Sequence, residues 1–267
     1  MMNKILMKMT GVAVTVLMMA SCGNNMVVDK TEAIKSQGYF IVGLDDQFPP
    51  MGFRDSKNNE IVGFDIDLAK ATAKEMGLEV KFKSVEWDSI VLSLKKGDID
   101  VIWNGLTITP ERKKRIAFSP AYLANSQIVV IKAGSNLTTL KALAAKKIGV
   151  QLGSSSEKAI KNSKAFSASI KEVRKFENNT LALMDLAAGR VDAVVVDEIV
   201  GRYYMSKKKG VYQVLTETLD SEEYGVGMRQ ADVKFQALLI DAMNKVKNGK
   251  AGETISNKWF AKNILLK

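Results

Sequence analysis

Hydrophobic and polar positions along the chain repeat in short blocks of two kinds. Apolar or alternating runs at 39–44, 79–84 and 99–103 predict strands, and amphipathic stretches at 64–76 and 87–96 predict the helices between them. Gly77 and Gly97 close those two helices at the position where glycine is favoured. The pattern restarts after Ser126. It gives a strand at 127–131, a helix around 140–145, a strand at 147–151, a helix at 181–189 and a strand at 191–196. Helices at 233–246 and around 253–260 end the chain. Strands alternating with helices predict an α/β fold with largely parallel sheet, in two halves.

One stretch brings this pattern to a polar turn. The run 99–103 stops at Asn104-Gly105, and Thr109-Pro110-Glu111 has the signature of a helix start. Arg112 then lies in the first turn, near the strand end, where its guanidinium can offer two N–H donors to a small carboxylate. A surface arginine in the basic run 112–115 is the plainer alternative on spacing alone. In the second half, Ser154 and Glu157 have capping-box spacing, which leaves N–H groups at that helix start suited to an anion. No Lys-Ser/Thr pair follows the glycines, which disfavours a phosphate loop. Pro49 and Pro50 put Asp45, Asp46 and Phe48 on an irregular loop at a strand end.

Composition narrows the chemistry. Among 267 residues there is no histidine and one cysteine, Cys22, so histidine-based catalysis, histidine-ligated metals and internal disulfides are excluded. The net charge is +10, but acids are interleaved with the lysines and aromatics are sparse, which disfavours nucleic acid. No cofactor or metal is expected.

The first residues read as an address. Lys4 and Lys8 precede the apolar stretch 9–20 and then Ser21-Cys22. Residues 1–21 are expected to be a signal peptide. Met19-Ala20-Ser21-Cys22 resembles a bacterial lipobox, departing from it at Met19, with Cys22 the lipidated residue. Residues 22–37 are then expected to be the lipidated end and a tether.

Ligands of open α/β sheets sit beyond the carboxyl ends of the strands. If the halves face each other, Arg112 and the 154–156 amides supply positive character, and Asp45 and Asp197 supply negative. That opposition suits a zwitterion such as a free amino acid. At this point the chain resembles the polar amino acid-binding proteins, the family 3 solute-binding components of bacterial ABC importers. The resemblance is carried by Gly63-Phe64-Asp65-Ile66-Asp67-Leu68-Ala69 and by 105–113 with Phe118-Ser119-Pro120. Gly149-Val150-Gln151-Leu152-Gly153-Ser154-Ser155 and Gly189-Arg190-Val191-Asp192-Ala193 complete it, and it runs from about Tyr39 to Phe260.

The resemblance implies a two-lobed periplasmic-binding-protein-like fold (type II) with the ligand in a cleft. Lobe one would be 38–122 plus 222–267, lobe two 126–217, and the hinge 123–125 and 218–221. Carried over by position, Arg112 would clamp the ligand α-carboxylate with backbone groups at Thr107 and at Ser154 or Ser155. Asp197, the Gly105 carbonyl and the Thr107 hydroxyl would hold the α-ammonium. Phe48 and Trp87 would wall the side-chain pocket, and Asp45, Gln151 and Asn104 would read its polar end. A basic side chain is slightly favoured, with cystine or glutamine as alternatives. The implied partners are ABC permease subunits and a membrane reached through Cys22, with the protein outside the cytoplasm as a monomer. An enzyme is the rival, since certain dehydratases acting on small carboxylic acids share this fold, and Glu198 would be the candidate acid.

Overall fold

The computed structural model describes residues 29–267, so the expected signal peptide and Cys22 lie outside the described residues. The first lobe begins with helix α1 (Thr31–Gln37), strands β1 (Tyr39–Leu44), β2 (Gln47–Phe48), β3 (Gly52–Arg54) and β4 (Ile61–Val62), and helix α2 (Phe64–Glu75). It continues through β5 (Glu79–Ser84), α3 (Ile90–Lys96), β6 (Val101–Ile102), α4 (Pro110–Lys113) and β7 (Ala117–Phe118). The long strand β8 (Leu123–Lys132) enters the second lobe, followed by β9 (Lys147–Gln151), α5 (Ser155–Asn162), α6 (Lys164–Ser169), β10 (Glu172–Phe176) and α7 (Asn179–Ala187). Strand β11 (Ala193–Asp197) and α8 (Glu198–Lys207) lead to β12 (Tyr212–Tyr224), which returns to the first lobe and to β13 (Gly227–Met228), α9 (Val233–Asn248) and α10 (Lys250–Phe260).

Each lobe is built on a five-stranded sheet, ordered β5-β1-β6-β13-β7 in the first and β10-β9-β11-β8-β12 in the second. In each sheet four of the five strands point the same way and one runs opposite, β13 in the first and β8 in the second, so the sheets are largely parallel with one reversed strand each. The reversed strands belong to the segments that carry the chain between lobes, a reversal that strand–helix alternation does not reveal. Strands β8 and β12 pair from Leu123↔Tyr224 to Ser126↔Ser221, with irregular register between Val214 and Asp220. The region expected as helix at 140–145 holds only a short 3-10 turn, Lys141–Leu143.

The expected tether needs a correction. Residues 31–37 form α1, whose Ile34 is buried in the core. The Asp29 carboxylate accepts the N–H groups of Thr31 and Lys234, and Lys30 N–H donates to Asp232. A seven-residue helix with one deeply buried apolar anchor leaves almost no periodic signal, so the docking is a tertiary effect.

Asp232 also belongs to the arrangement that ties α9 to the first sheet. Arg229 is buried and bonds Asp232 at 2.6 Å and Asp100 at 2.7 Å, with the Ile99 carbonyl at 2.5 Å. Asp100 in turn accepts Ile41 N–H of β1. Removing the guanidinium strands two buried carboxylates, a loss of about 3–5 kcal/mol. Arg229→Ala is expected to lower the unfolding free energy from denaturant titration by that amount, whereas a loss below about 1 kcal/mol would refute the role.

Candidate functional site

The site lies where the carboxyl ends of both sheets face each other. The turn after β6 is the first wall. Gly105 takes φ 58°, and a Cβ there would come within 2.8 Å of the Phe48 ring and 3.1 Å of Tyr224. Only glycine fits that backbone so close to both rings. The Gly105 N–H donates to Asp65 at 2.7 Å, and Tyr122 Oη donates to the same oxygen at 2.9 Å. Asp65, from the Gly63-Phe64-Asp65 motif, is fully buried, and that burial pushes its carboxyl up to about 7 against the two hydrogen bonds.

Arg112 sits as expected in the first turn of α4, where Thr109 Oγ1 accepts its N–H at 3.2 Å. Its guanidinium donates to the Thr107 carbonyl at 2.9 Å and to the Gly153 carbonyl of the second lobe at 3.4 Å. Its Cζ lies 5.6 Å from the Trp87 ring centre. Burial lowers the guanidinium from its ordinary value, opposed by the nearby Glu222 and Asp197 carboxylates.

Facing it, the start of α5 is a modified capping box. Ser154 Oγ accepts Glu157 N–H at 3.1 Å and donates to the Gln151 carbonyl at 2.7 Å, so its hydroxyl is engaged locally. Glu157 reaches back to Gly153 N–H at 2.9 Å. Burial pushes the Glu157 carboxyl up, but Lys161, that N–H and Lys175 outweigh it and bring it to about 2. Ser155 Oγ faces the cleft and hydrogen-bonds Thr107 Oγ1 at 2.9 Å.

Asp197 ends β11, is buried, and accepts from three donors at one oxygen. Tyr224 Oη donates at 2.7 Å, Asn125 Nδ2 at 2.8 Å and Gln127 Nε2 at 3.0 Å. Glu222 joins this group from β12, accepting from Thr107 Oγ1 at 2.9 Å and from Asn125 and Gln127 at 2.8 Å each. Burial first, then the Glu222 charge, hold the Asp197 carboxyl well above its ordinary range. Glu222, Asn125, Gln127 and Tyr224 were not singled out from the sequence. Their only signal there is position on the two strands that join the lobes.

The far end of the cleft is built around Asp45. Its carboxylate accepts Gln151 Nε2 from the second lobe at 2.7 Å and Gln47 N–H at 2.8 Å. Burial pushes it up to about 6, against those bonds and with help from Asp46 and Glu86. Gln151 also accepts from Asn179 Nδ2 at 3.1 Å, another residue not anticipated. Phe48 and Trp87 lie parallel, with ring centres 6.4 Å apart and an interplanar angle of 1°. Asn104 is elsewhere in function: it is fully buried, its Oδ1 accepts Asp45 N–H at 3.1 Å, and its Nδ2 is turned toward Gly52. It fixes the Asp45 loop from behind. Asp46 is bound by Arg54 at 2.6 Å, and Glu198 is taken by Arg202 on the surface at 2.6 Å. Among the described residues no cluster suited to a metal ion is present.

Bacterial extracellular solute-binding proteins, family 3, match residues 40–262. The chain belongs to that family. The two lobes and the facing sheet ends are its two-lobed periplasmic-binding-protein-like (type II) fold. The L-cystine-binding protein of Escherichia coli (strain K12) is 29% identical over 233 residues, covering 86% of each chain. A substrate-binding protein of an ABC uptake transporter from Streptococcus pneumoniae, solved with bound histidine, is 33% identical. It covers 90% of this chain and 99% of its own, with a TM-score of 0.86. An ancestral arginine-binding protein solved with arginine is 40% identical, covering 84% and 98%, with a TM-score of 0.78. This family member therefore works outside the cytoplasm as a solute-binding protein, and no helix among its described residues is long and apolar enough to cross a membrane.

The buried Asp65 yields a test of how the Gly105 turn is held. An ordinary carboxyl near 3.8 in the unfolded chain is raised to about 7 in the fold, so the folded state binds the extra proton between those values. Stability contributed by this site therefore falls as pH rises from about 4 to 7, by up to about 4 kcal/mol. Asp65→Asn keeps an acceptor for Gly105 and removes the titration. Its melting temperature relative to wild type is expected to climb from pH 4.5 to 7.5; parallel curves would exclude the mechanism.

Proposed function

We propose that this protein captures a free amino acid between its lobes and delivers it to an ABC permease. The observation that carries the reading is one guanidinium, Arg112, held beside the carboxylates of Asp197 and Glu222. Those opposite charges at one end of the cleft match the carboxylate and ammonium of an α-amino acid. Arg112 clamps the carboxylate with the Thr107 region and the start of α5 at Ser154 and Ser155. Asp197, the Gly105 carbonyl and the Thr107 hydroxyl receive the ammonium. The curated relatives being binding proteins for cystine, histidine, arginine and glutamine supports capture rather than dehydration.

At the other end, the features favour a cationic side chain. Asp45 supplies a buried carboxylate, and the mouth adds Asp46, Glu86 and Glu177. Burial, then Glu177, push the Glu86 carboxyl above its ordinary range, so negative charge is crowded there. The ring spacing of Phe48 and Trp87, 6.4 Å, approaches the ~7 Å that a planar group in contact with both faces needs. Gln151 and Asn179 suit an amide, which keeps glutamine as the second reading. We further infer that Cys22 carries a lipid, which leaves the few residues before Asp29 as the tether, and that the protein acts as a monomer.

Thermal denaturation tests this reading. The protein, freed of copurified ligand by partial unfolding, is scanned against each amino acid, ornithine, cystine and prephenate. A ligand that binds only the folded state stabilises by about 2.7 kcal/mol at one hundred times its dissociation constant. Shifts are expected with arginine, lysine or ornithine, and Arg112→Ala, which leaves a ligand carboxylate buried and unpaired, is expected to abolish them. A shift with prephenate alone would reopen the dehydratase reading, and near-normal affinity in Arg112→Ala would overturn the site.

A further inference from the structure

Asp197 and Glu222 flank the same pair of carboxamides on the middle strand of three. Asp197 is in register with Gln127 across β11 and β8, and Glu222 with Asn125 across β8 and β12. Asn125 Nδ2 gives one N–H to each carboxylate, both at 2.8 Å, and Gln127 Nε2 does the same at 3.0 and 2.8 Å. Ser156 Oγ donates to Gln127 Oε1 at 2.5 Å, so the amide cannot turn over and the donors stay aimed at the acids. All four partners belong to one sheet, which makes the pair a fixed part of the second lobe and its hinge.

Few charged and titratable groups face the pair, with Lys113 and Glu223 lining the opening on the outer side of Glu222. Arg112 approaches from α4 of the first lobe, but its recorded N–H bonds go to the Thr107 and Gly153 carbonyls. Tyr224 points its hydroxyl at Asp197 from β12. Neutral amides, the Thr107 and Ser155 hydroxyls at Glu222, one phenol and one guanidinium are a thin setting for two adjacent negative charges, and like charges this close resist ionising together. Glu222 and Asp197 draw on the same two amide nitrogens, and the Glu222 charge adds to burial in raising the Asp197 carboxyl.

We propose that Glu222 is a second ammonium-binding group of the cleft, and that it faces a proton held by Asp197 until an amino-acid ammonium displaces that proton. The inference rests on the reading of the cleft as an amino acid site. An ammonium is a donor only. A carboxyl proton on Asp197 points a donor where the ammonium needs an acceptor, so the two exclude each other. On binding, the O–H bond breaks, its proton passes to the buffer, and both carboxylates accept N–H from the ligand. Glu222 therefore makes affinity depend on pH on the alkaline side of the ordinary carboxylate range.

Calorimetric titration in two buffers of different ionisation enthalpy counts the proton. Glutamine is included with the basic amino acids, because its neutral side chain does not call on Asp45. At pH 7.5 the wild type is expected to release about one proton per ligand, and Glu222→Gln, which keeps the side-chain shape and leaves Asp197 to ionise alone, close to none. Wild-type affinity should rise with pH across the neutral range while that of Glu222→Gln stays flat. At pH 8 the variant should bind about tenfold more weakly, through loss of a charged acceptor. Binding by the wild type without proton release, or equal release by Glu222→Gln, would overturn the proposal. If no amino acid binds either protein, the cleft reading fails by itself. The proton is then sought in the unliganded protein as an infrared carboxylic acid band present in wild type and missing in Glu222→Gln. A spectrum identical in the two proteins would dispose of the Asp197 proton as well.

Discussion

The structure depends on keeping buried carboxylates supplied with donors. Asp65, Asp197 and Asp45 are all inside the protein, and none has a full counter-ion of its own. Burying a carboxylate without compensation costs several kcal/mol, so each must be met by hydrogen bonds fixed in advance. The donors come from elements that define the cleft: the Gly105 turn for Asp65, the strands joining the lobes for Asp197, and Gln151 of the opposite lobe for Asp45. Satisfying the acids and shaping the cleft are thus the same task. This also explains why the rigid wall at Gly105 tolerates no side chain, since a shift there would release Asp65 and Phe48 together.

The strands and helices β1, α2, β5, α3 and β6 of the first lobe and β8, β9, α7 and β11 of the second were legible because each has its own period and stop signal, whereas β10, α8 and β12 were not read. Arg112 was legible because Thr109-Pro110 announces a helix start with little ambiguity. Other features were out of reach for reasons of geometry. Asn104 stands beside Gly105 in the chain, yet its carboxamide turns inward to hold the Asp45 backbone, and residue type does not tell which way a turn residue points. Glu222 reads as one acid among several in 217–223, and only the register of β12 against β8 sets it beside Asp197. Helix α1 was hidden because its stability comes from Asp29, Asp232 and one buried isoleucine rather than from its own sequence.

Net charge is a poor guide to what the cleft attracts. The chain carries +10 overall, while the mouth and far end of the cleft gather Asp45, Asp46, Glu86 and Glu177. Surface lysines separated from the cleft by more than about 8–10 Å are screened by physiological salt, whereas the buried Asp45 is screened much less. A cationic ligand is therefore subject to the local field once it is near the mouth, and the distant positive surface scarcely opposes it. Such a division lets the outside of the protein keep a sign suited to an anionic membrane while the inside selects the opposite one.

The contacts across the cleft also define what a ligand must overcome. Asp45 with Gln151, Thr107 with Ser155, Thr180 with the Gln47 carbonyl, and the Phe53 and Tyr203 rings at 5.8 Å all join the lobes directly. Arg112 with the Gly153 carbonyl and Lys158 with Glu111 add to these; a neutral bond is worth about 0.5–1.5 kcal/mol net and one to a charged group about 1.5–3. A ligand reaching Arg112, Asp197 and Asp45 takes over groups that otherwise bond to one another, replacing neutral amide and hydroxyl partners by charged ones. Charge-assisted bonds are about twice as strong as neutral ones. The differential is what biases closure, since a ligand shifts an opening equilibrium only by its preference for one state over the other. Contacts that a ligand can exchange for stronger ones of its own are what would let binding bias the two lobes toward one state.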